Sequence, residues 1–272
     1  MIRNLPSIVE CDSLQATFQW VPLEEGPRCL VATCIIGERD PTSLQFIDWD
    51  EIKTFKTEKR RNEHLSARWL LEQALNEWGD LDCSQLMISR TDERAPYLQA
   101  IQGLWIQPIL PSLSITHSEQ LACVTLIEHG WTVGVDAEPL ARPPKPTVYD
   151  MMAKGEELAR LQSAELDALW AWTAKEAVQK AARLGMHLNP RDIVVSHARD
   201  ENKISIENSI FQLRNLPNEA YQITLAWGLD SQPIRTPEDD LLDATRTAMN
   251  SGEDWTVGCS TVGLRDYGHK NL

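Results

Sequence analysis

Three acidic side chains and a lysine make the strongest chemical pattern in this chain. Asp136 and Glu138 lie in Gly134-Val135-Asp136-Ala137-Glu138, at the end of the apolar run Trp131-Thr-Val-Gly-Val. If that run is a strand, side chains two apart share a face, so the two carboxylates project side by side. Further along, Trp172-Thr-Ala-Lys175-Glu176-Ala-Val-Gln-Lys180-Ala reads as a helix. There Trp172, Glu176 and Lys180 fall at i, i+4 and i+8 on one face. Two like charges about 4 Å apart repel by about 4 kcal/mol at an effective dielectric of about 20. Three carboxylates therefore converge cheaply only around a cation, a proton or a base. Mg²⁺ is the natural cation, because it is held by one or two carboxylates together with phosphates and water. Lysine one turn on offers a charge for a phosphate. The plainer alternatives are a strand running into a solvated acidic loop, and a Glu-to-Lys pair that supports any exposed helix by roughly 0.2–0.5 kcal/mol.

The elements that must position these groups follow from periodicity. Residues 14 to 36 alternate and carry β-formers around Glu24-Glu-Gly-Pro27, which predicts an opening hairpin. Trp49 to Trp78 reads as helical, with Leu65, Trp69 and Leu70 on one apolar stripe. Met87-Ile-Ser-Arg enters a turn at Ala95-Pro-Tyr-Leu. Leu113–His117, Leu121–Ile127 and Trp131–Val135 read as three strands, with His129-Gly130 as a hairpin loop between the last two. Pro139 to Pro146 is proline-rich and reads as extended loop. Helix is expected over Val148–Gln162 and Ser163–Leu184, capped by Gly185. Ile193–Ser196, Lys203–Ile206 and Tyr221–Trp227 are expected to close a second sheet. After about residue 230 the composition suggests a mobile tail with one short helix near Leu241–Met249, tacked down by Trp255 and Tyr267. An α+β fold of two lobes is the expectation.

Length and charge bound the functions available. The 272 residues, 42% hydrophobic, suffice for one large or two modest cores. No stretch approaches the roughly 18 apolar residues of a membrane span. The N-terminal residues lack a signal peptide's apolar core, since Pro6 and Glu10 interrupt it. Six scattered cysteines without a Cys-x-x-Cys pair read as reduced thiols, hence a cytoplasmic protein. A formal charge of −14 argues against nucleic acid or anionic membrane as a partner. Lys53, Lys56, Lys59, Arg60 and Arg61 form the obvious basic exception.

The pair "GVDAE … WTAKEAVQKA" resembles the signature of the 4′-phosphopantetheinyl transferase superfamily, in its larger, two-lobed (Sfp-type) branch. Lys59-Arg60-Arg61 and Ser66-Ala67-Arg68-Trp69-Leu70-Leu71 resemble the family's basic segment and "A-R-x-L-L" helix. Ala95-Pro96-Tyr97-Leu98 resembles the tail of its "G-K-P-x-L" turn, and Ser114-Ile115-Thr116-His117-Ser118 its "S-x-S-H-S" strand end. These elements occur in the family's order, between about residues 50 and 190.

The resemblance implies a pseudo-twofold pair of α/β lobes with the active site in the cleft between them. The boundaries drawn are an N-terminal lobe over 1–128, a C-terminal lobe over 129–229 and a tail over 230–272. It implies transfer of the 4′-phosphopantetheine group from coenzyme A to a serine of an acyl, peptidyl or polyketide carrier protein. Asp136, Glu138 and Glu176 would hold Mg²⁺. Lys180 would clamp the pyrophosphate, with Lys175 beside it, and Glu156, or else Glu157, would take the serine proton. Thr116 and His117 would contact coenzyme A phosphate, and Arg61 and Arg68 would grip the 3′-phosphate. Thr116 stands in place of the usual serine and keeps the hydroxyl. The family's Gly-Lys before the proline reads Arg94-Ala95 here, so either Arg94 reaches that phosphate from one position earlier or coenzyme A binds more weakly. Carrier proteins are acidic, so the basic cluster would serve the carrier, the coenzyme or both. Two lobes in one chain would complete the site, which makes a monomer the expectation. The competing readings are a non-catalytic coenzyme A- or carrier-binding module, and an unrelated Mg²⁺-dependent phosphotransferase. No phosphate-binding Gly-rich loop supports the latter.

Overall fold

The structure, a computed structural model, describes residues 15–23, 26–79, 81–101, 109–195 and 203–231. The chain separates into two compact units, Met1–Pro233 and Ile234–Leu272, and all described residues belong to the first. The expected helix near Leu241–Met249 and the tacking residues Trp255 and Tyr267 lie outside the described residues.

The first sheet has the order β1-β2-β6-β5, all antiparallel, from β1 (Thr17–Trp20), β2 (Cys29–Ile35), β5 (Ser112–Ser118) and β6 (Leu121–Ile127). The second has the order β7-β10-β9-β8, from β7 (Trp131–Pro139), β8 (Lys203–Ile206), β9 (Ser209–Leu216) and β10 (Tyr221–Leu229). A separate hairpin joins β3 (Leu86–Arg90) to β4 (Pro96–Ala100). The helices among the described residues are α1 (Trp49–Thr54), α2 (Glu58–Trp78), α3 (Tyr149–Met152), α4 (Gly155–Gln162) and α5 (Ala168–Ala181). The molecule is a mixed α+β fold.

Strand alternation builds the layers. On β2 and β6, Leu30, Ala32, Ala122, Val124 and Leu126 pack with Leu70, Leu71 and Leu75 of α2. The opposite faces of those strands, through Val31, Cys123 and Ile127, pack against Val133, Val135, Ile223 and Leu225 of the second sheet. The second sheet in turn places Ala226, Leu213 and Phe211 in a core with Ala174, Ala177 and Val178 of α5. Each sheet thus has one helix on its outer face and the other sheet on its inner face.

Several expectations are corrected. Strand β6 does not form a hairpin with β7. Both of its edges are already taken, by β2 and β5, so the turn at Gly130 (φ 84) carries the chain into the other sheet. The helix expected over Val148–Gln162 is broken. Ala153 and Lys154 are extended, and Gly155 takes φ 57, which restarts the chain as α4. Helix α5 begins only after Asp167, whose carboxylate accepts from the backbone N–H groups of Leu169 and Trp170. It ends at Ala181, and Arg183 (φ 59), ahead of Gly185, is the first residue past it to take the left-handed conformation. Arg183 then forms a two-pronged ion pair with Asp230 at 2.8 and 3.1 Å, tying the end of α5 to the end of β10. Ile193–Val195 is not a strand, whereas β9, which has no counterpart in the sequence reading, pairs with β10.

One glycine lets the two catalytic-looking elements meet. A Cβ at Gly134 would stand 1.9 Å from the carbonyl oxygen of Ala177 and 2.5 Å from the amide nitrogen of Ala181. Strand β7 and α5 therefore touch backbone to backbone, and the hydroxyl of Thr132 donates to the Ala181 carbonyl beside them. Gly134→Ala is expected to force the helix off the strand, costing about 3 kcal/mol, the upper end for overpacking. Urea unfolding checks this; an unchanged midpoint would show that the helix yields freely.

Candidate active site

The site lies where β5 and β7 run beside each other under α5. On β7, Thr132, Gly134, Asp136 and Glu138 fall on the face toward α5, as the two-residue period requires. On β5 the hydroxyls of Ser114, Thr116 and Ser118 point at β7. Ser114 Oγ accepts from the Val135 amide at 3.0 Å, Thr116 Oγ1 donates to Asp136 Oδ1 at 3.1 Å, and Ser118 Oγ donates to Glu138 Oε2 at 2.7 Å. From α5, Lys180 Nζ reaches down to Asp136 Oδ1 at 2.6 Å, Thr116 Oγ1 at 3.1 Å and the Val135 carbonyl at 3.1 Å. Glu176 Oε2 is 3.8 Å from Lys180 Nζ, one turn back on the helix.

The electrostatics are those of an under-compensated acidic cluster. Asp136 is 2% exposed, and its Oδ2 is buried with no hydrogen-bond partner. Burial, then the negative charge of Asp136, pushes the Glu176 carboxyl up to about 7, against the pull of Lys180. Burial likewise raises Glu138, opposed by its bond from Ser118 and reinforced by Asp136. Burial works against the Lys180 ammonium, but Asp136 and Glu176 outweigh it and hold its pKa above the ordinary lysine value. One lysine faces three carboxylates.

Oxygen donors, an orphaned buried carboxylate oxygen and surplus negative charge fit a hard divalent cation. As they stand, however, no three His, Cys, Asp or Glu side chains among the described residues are disposed around one ion position. Lys180 occupies one oxygen of Asp136, and Ser118 holds one oxygen of Glu138.

Two cavities flank this cluster. One, of about 230 Å³, is lined by Arg94, Pro96, Ser114, Ile115, Gln179 and Lys180, among others. Arg94 sits at its rim in a left-handed conformation (φ 69), in the turn joining β3 to β4. The other, of about 220 Å³, is lined by Glu138, Arg142, Pro144, Val148, Leu169 and Trp172. Its walls are mostly apolar, and Arg142 is held toward Glu119 at 2.5 Å. Lys180 opens on the first cavity and Glu138 on the second.

Helix α2 supplies a line of basic groups. Arg60, His64 and Arg68 recur every four residues, so they share one face about 12 Å long. Arg60 Nη1 lies 2.7 Å from His117 Nε2. A guanidinium can only donate, so that nitrogen accepts and the imidazole proton is on Nδ1, 3.7 Å from Glu63. Burial, then the Arg60 charge, lowers the His117 pKa and keeps the ring neutral. At the other end Arg68, 6% exposed, lies near Glu51 and Arg90. Burial brings its pKa down to about 10, still charged at neutral pH.

The sequence-expected residues thus divide. Asp136, Glu138, Glu176, Lys180 and Thr116 come together, whereas His117, on the other face of β5, meets Arg60 and Glu63 of α2, the helix that also carries Arg68. Arg61 does not join them. It is exposed and turned about a quarter of the helix away from Arg60, which meets His117 instead. The four-residue spacing back from Arg68 is the signal that points to Arg60. Lys175 is 1% exposed, locked to Glu157 at 2.8 Å and to the carbonyls of Pro190 and Ile193. It is a structural lysine and does not line either cavity. Glu157 also accepts from the Val195 amide at 2.8 Å, so it is committed to the same buried knot. Glu156, its neighbour, is exposed on the first turn of α4. Arg90, on β3, was not singled out from the sequence; only the folded hairpin brings it to Arg68.

Residues 132–226 match the family model of the 4′-phosphopantetheinyl transferase superfamily. The match covers Asp136, Glu138, Glu156, Lys175, Glu176 and Lys180, while Arg68, Thr116 and His117 lie before it. No curated protein matches the chain. No helix among the described residues is long and apolar enough to cross a membrane.

Proposed function

We propose that this protein transfers 4′-phosphopantetheine from coenzyme A to a serine of a carrier protein in a Mg²⁺-dependent reaction, with the site between two lobes, 1–128 and 129–229. The observation that carries the reading is the buried Asp136, partnered on one oxygen by Lys180 and unpartnered on the other, beside Glu138 and Glu176 in the matched segment. Asp136, Glu138 and Glu176 are the groups to hold the cation, which would supply positive charge to the donor's pyrophosphate. On Asp136 the unpartnered Oδ2 would take the ion, while Lys180 holds Oδ1.

The serine oxygen forms a bond to the β-phosphorus as the bond from that phosphorus to the bridging oxygen breaks. The leaving group is adenosine 3′,5′-bisphosphate. Lys180, anchored by Asp136 at the edge of the cavity, is the charge for the leaving oxygen, with Thr116 beside it. The cavity edged by Arg94 lies on one side of Lys180 and suits the nucleotide, with Arg60, Arg68 and Arg90 as the cations for its phosphates. The apolar cavity on the Glu138 side suits the uncharged pantetheine arm. Glu157 is tied up, so Glu156 is the glutamate left to take the serine proton, once substrate brings the hydroxyl to it. Most of the rate then comes from positioning and charge stabilisation. The exposed Lys56, just before α2, and Lys59 and Arg61 in its first turn are the complement to an acidic carrier on an otherwise acidic chain.

The test is intact-protein mass spectrometry of an apo carrier protein incubated with this protein, coenzyme A and Mg²⁺. A mass gain of one phosphopantetheine, lost with EDTA, is the expected result. No gain across fatty-acid, polyketide and peptide-synthetase carriers, with coenzyme A still bound, would leave the binding-module reading instead.

A further inference from the structure

The basic end of the α2 face is not empty of anion: the chain has placed one of its own carboxylates there. Glu51, on α1, sets Oε1 2.7 Å from Arg90 Nη2, while its Oε2 is 3.8 Å from Arg68 Nη2 and 3.9 Å from His64 Nε2. The Arg90 contact is a hydrogen bond and the other two are too long to be. One carboxylate therefore faces three donor-bearing groups and satisfies one. The mismatch is recorded at His64, whose side chain is 10% exposed and whose Nε2 is buried without a hydrogen-bond partner. Burial, then the Arg68 charge, pushes the His64 pKa down to about 4, so the ring is neutral at pH 7 and holds Glu51 by no full charge.

The helix that delivers this carboxylate is lightly held. It has six residues, none of them buried, and its N-terminus is capped only locally by Asp48. Its neighbour Phe55 rests on the His64 ring at 5.0 Å between centroids. An anion with three oxygens and a fuller charge matches Arg68, Arg90 and His64 Nε2 better than a carboxylate that reaches only one of them.

We propose that Glu51 is a displaceable internal anion that competes with the terminal phosphomonoester of a bound nucleotide for Arg68 and Arg90, weakening its hold so that nucleotide product can leave. The inference rests on the proposed donor only in taking its nucleotide as the ligand. In the empty state Glu51 keeps two guanidinium groups, one deeply buried, from facing each other uncompensated. When nucleotide binds, the phosphate displaces Glu51; when Glu51 returns, it helps expel the nucleotide.

The experiment is calorimetric titration of wild-type protein and Glu51→Gln with adenosine 3′,5′-bisphosphate and, in parallel, with adenosine 5′-monophosphate. Glu51→Gln is expected to bind the bisphosphate about tenfold more tightly or better, the worth of one charged hydrogen bond no longer displaced. The monophosphate, lacking the second phosphate, is expected to bind both proteins alike. Stopped-flow release of the bisphosphate is expected to slow by a similar factor. Glu51→Asp, which keeps the charge but withdraws it from Arg90, is expected to shift affinity the same way by less, and it carries the test if Glu51→Gln melts early. Equal or weaker bisphosphate binding by the folded variants, equal tightening for both nucleotides, or no nucleotide binding at all would overturn the proposal. Tightening confined to the bisphosphate in a protein that shows no transfer would uphold it while removing the transferase reading.

Discussion

Asp136→Asn should lower transfer to apo carrier protein by about 10²–10³-fold, the loss typical of removing one preorganised electrostatic group from a buried site. Asparagine keeps the shape and one acceptor oxygen, so Thr116 and Lys180 still have a partner. What disappears is the charge that makes Asp136 both the anchor of Lys180 and the buried member of the cation set. The variant should fold about as well as the parent, because losing the charge that Lys180 pairs with is offset by relief of the repulsion that raises the pKa of Glu176, and Glu176 stays near Lys180. The diagnostic pair of measurements is turnover by mass spectrometry and the thermal shift on adding Mg²⁺. Both should be lost together while the melting temperature without metal is held. Retained turnover with a retained Mg²⁺ shift would remove Asp136 from the site.

Lys175→Met should cost stability, by about 3–5 kcal/mol, the usual penalty for orphaning one partner of a buried ion pair. Lys175 and Glu157 are 1% and 4% exposed at their side chains, so Glu157 would be left charged and buried. Burial lowers the Lys175 pKa, but the bond it donates to Glu157 opposes this, so each charge depends on the other. For a chain of this size each kcal/mol moves the melting temperature by about 2–4 °C, so a fall of about 10 °C is expected. The double variant Lys175→Met, Glu157→Leu should recover much of it, since no lone charge is then left inside. A Lys175 variant that melts normally yet loses nucleotide affinity would make this lysine a ligand group after all.

The contrast between Lys175 and Lys180 shows where sequence legibility ends. Five residues apart on one helix, both look like phosphate clamps in the string Lys-Glu-Ala-Val-Gln-Lys. Lys180 shares a face with Glu176 and looks onto β7, whereas Lys175 lies about 100° from Glu176 around the helix and meets α4 and the Pro190–Ile193 turn. Nothing local in the sequence says that α4 will cover that face. The same holds for Arg60 and Arg61, adjacent on α2, of which only Arg60 reaches β5.

What the sequence determined by itself was set by short-range geometry. The two-residue period of β7 put Asp136 and Glu138 on one face, the four-residue period of α5 aligned Trp172, Glu176 and Lys180, and Gly134 left room for strand and helix to touch. Tertiary structure alone decided what those faces meet. It denied β6 and β7 their hairpin because β6 had no free edge, brought Arg90 across to Arg68, and set Glu51 between them. Backbone periodicity fixes which side chains travel together, but the partner opposite each face is chosen by burial and pairing over the whole chain. Those energies are shared among segments far apart in sequence.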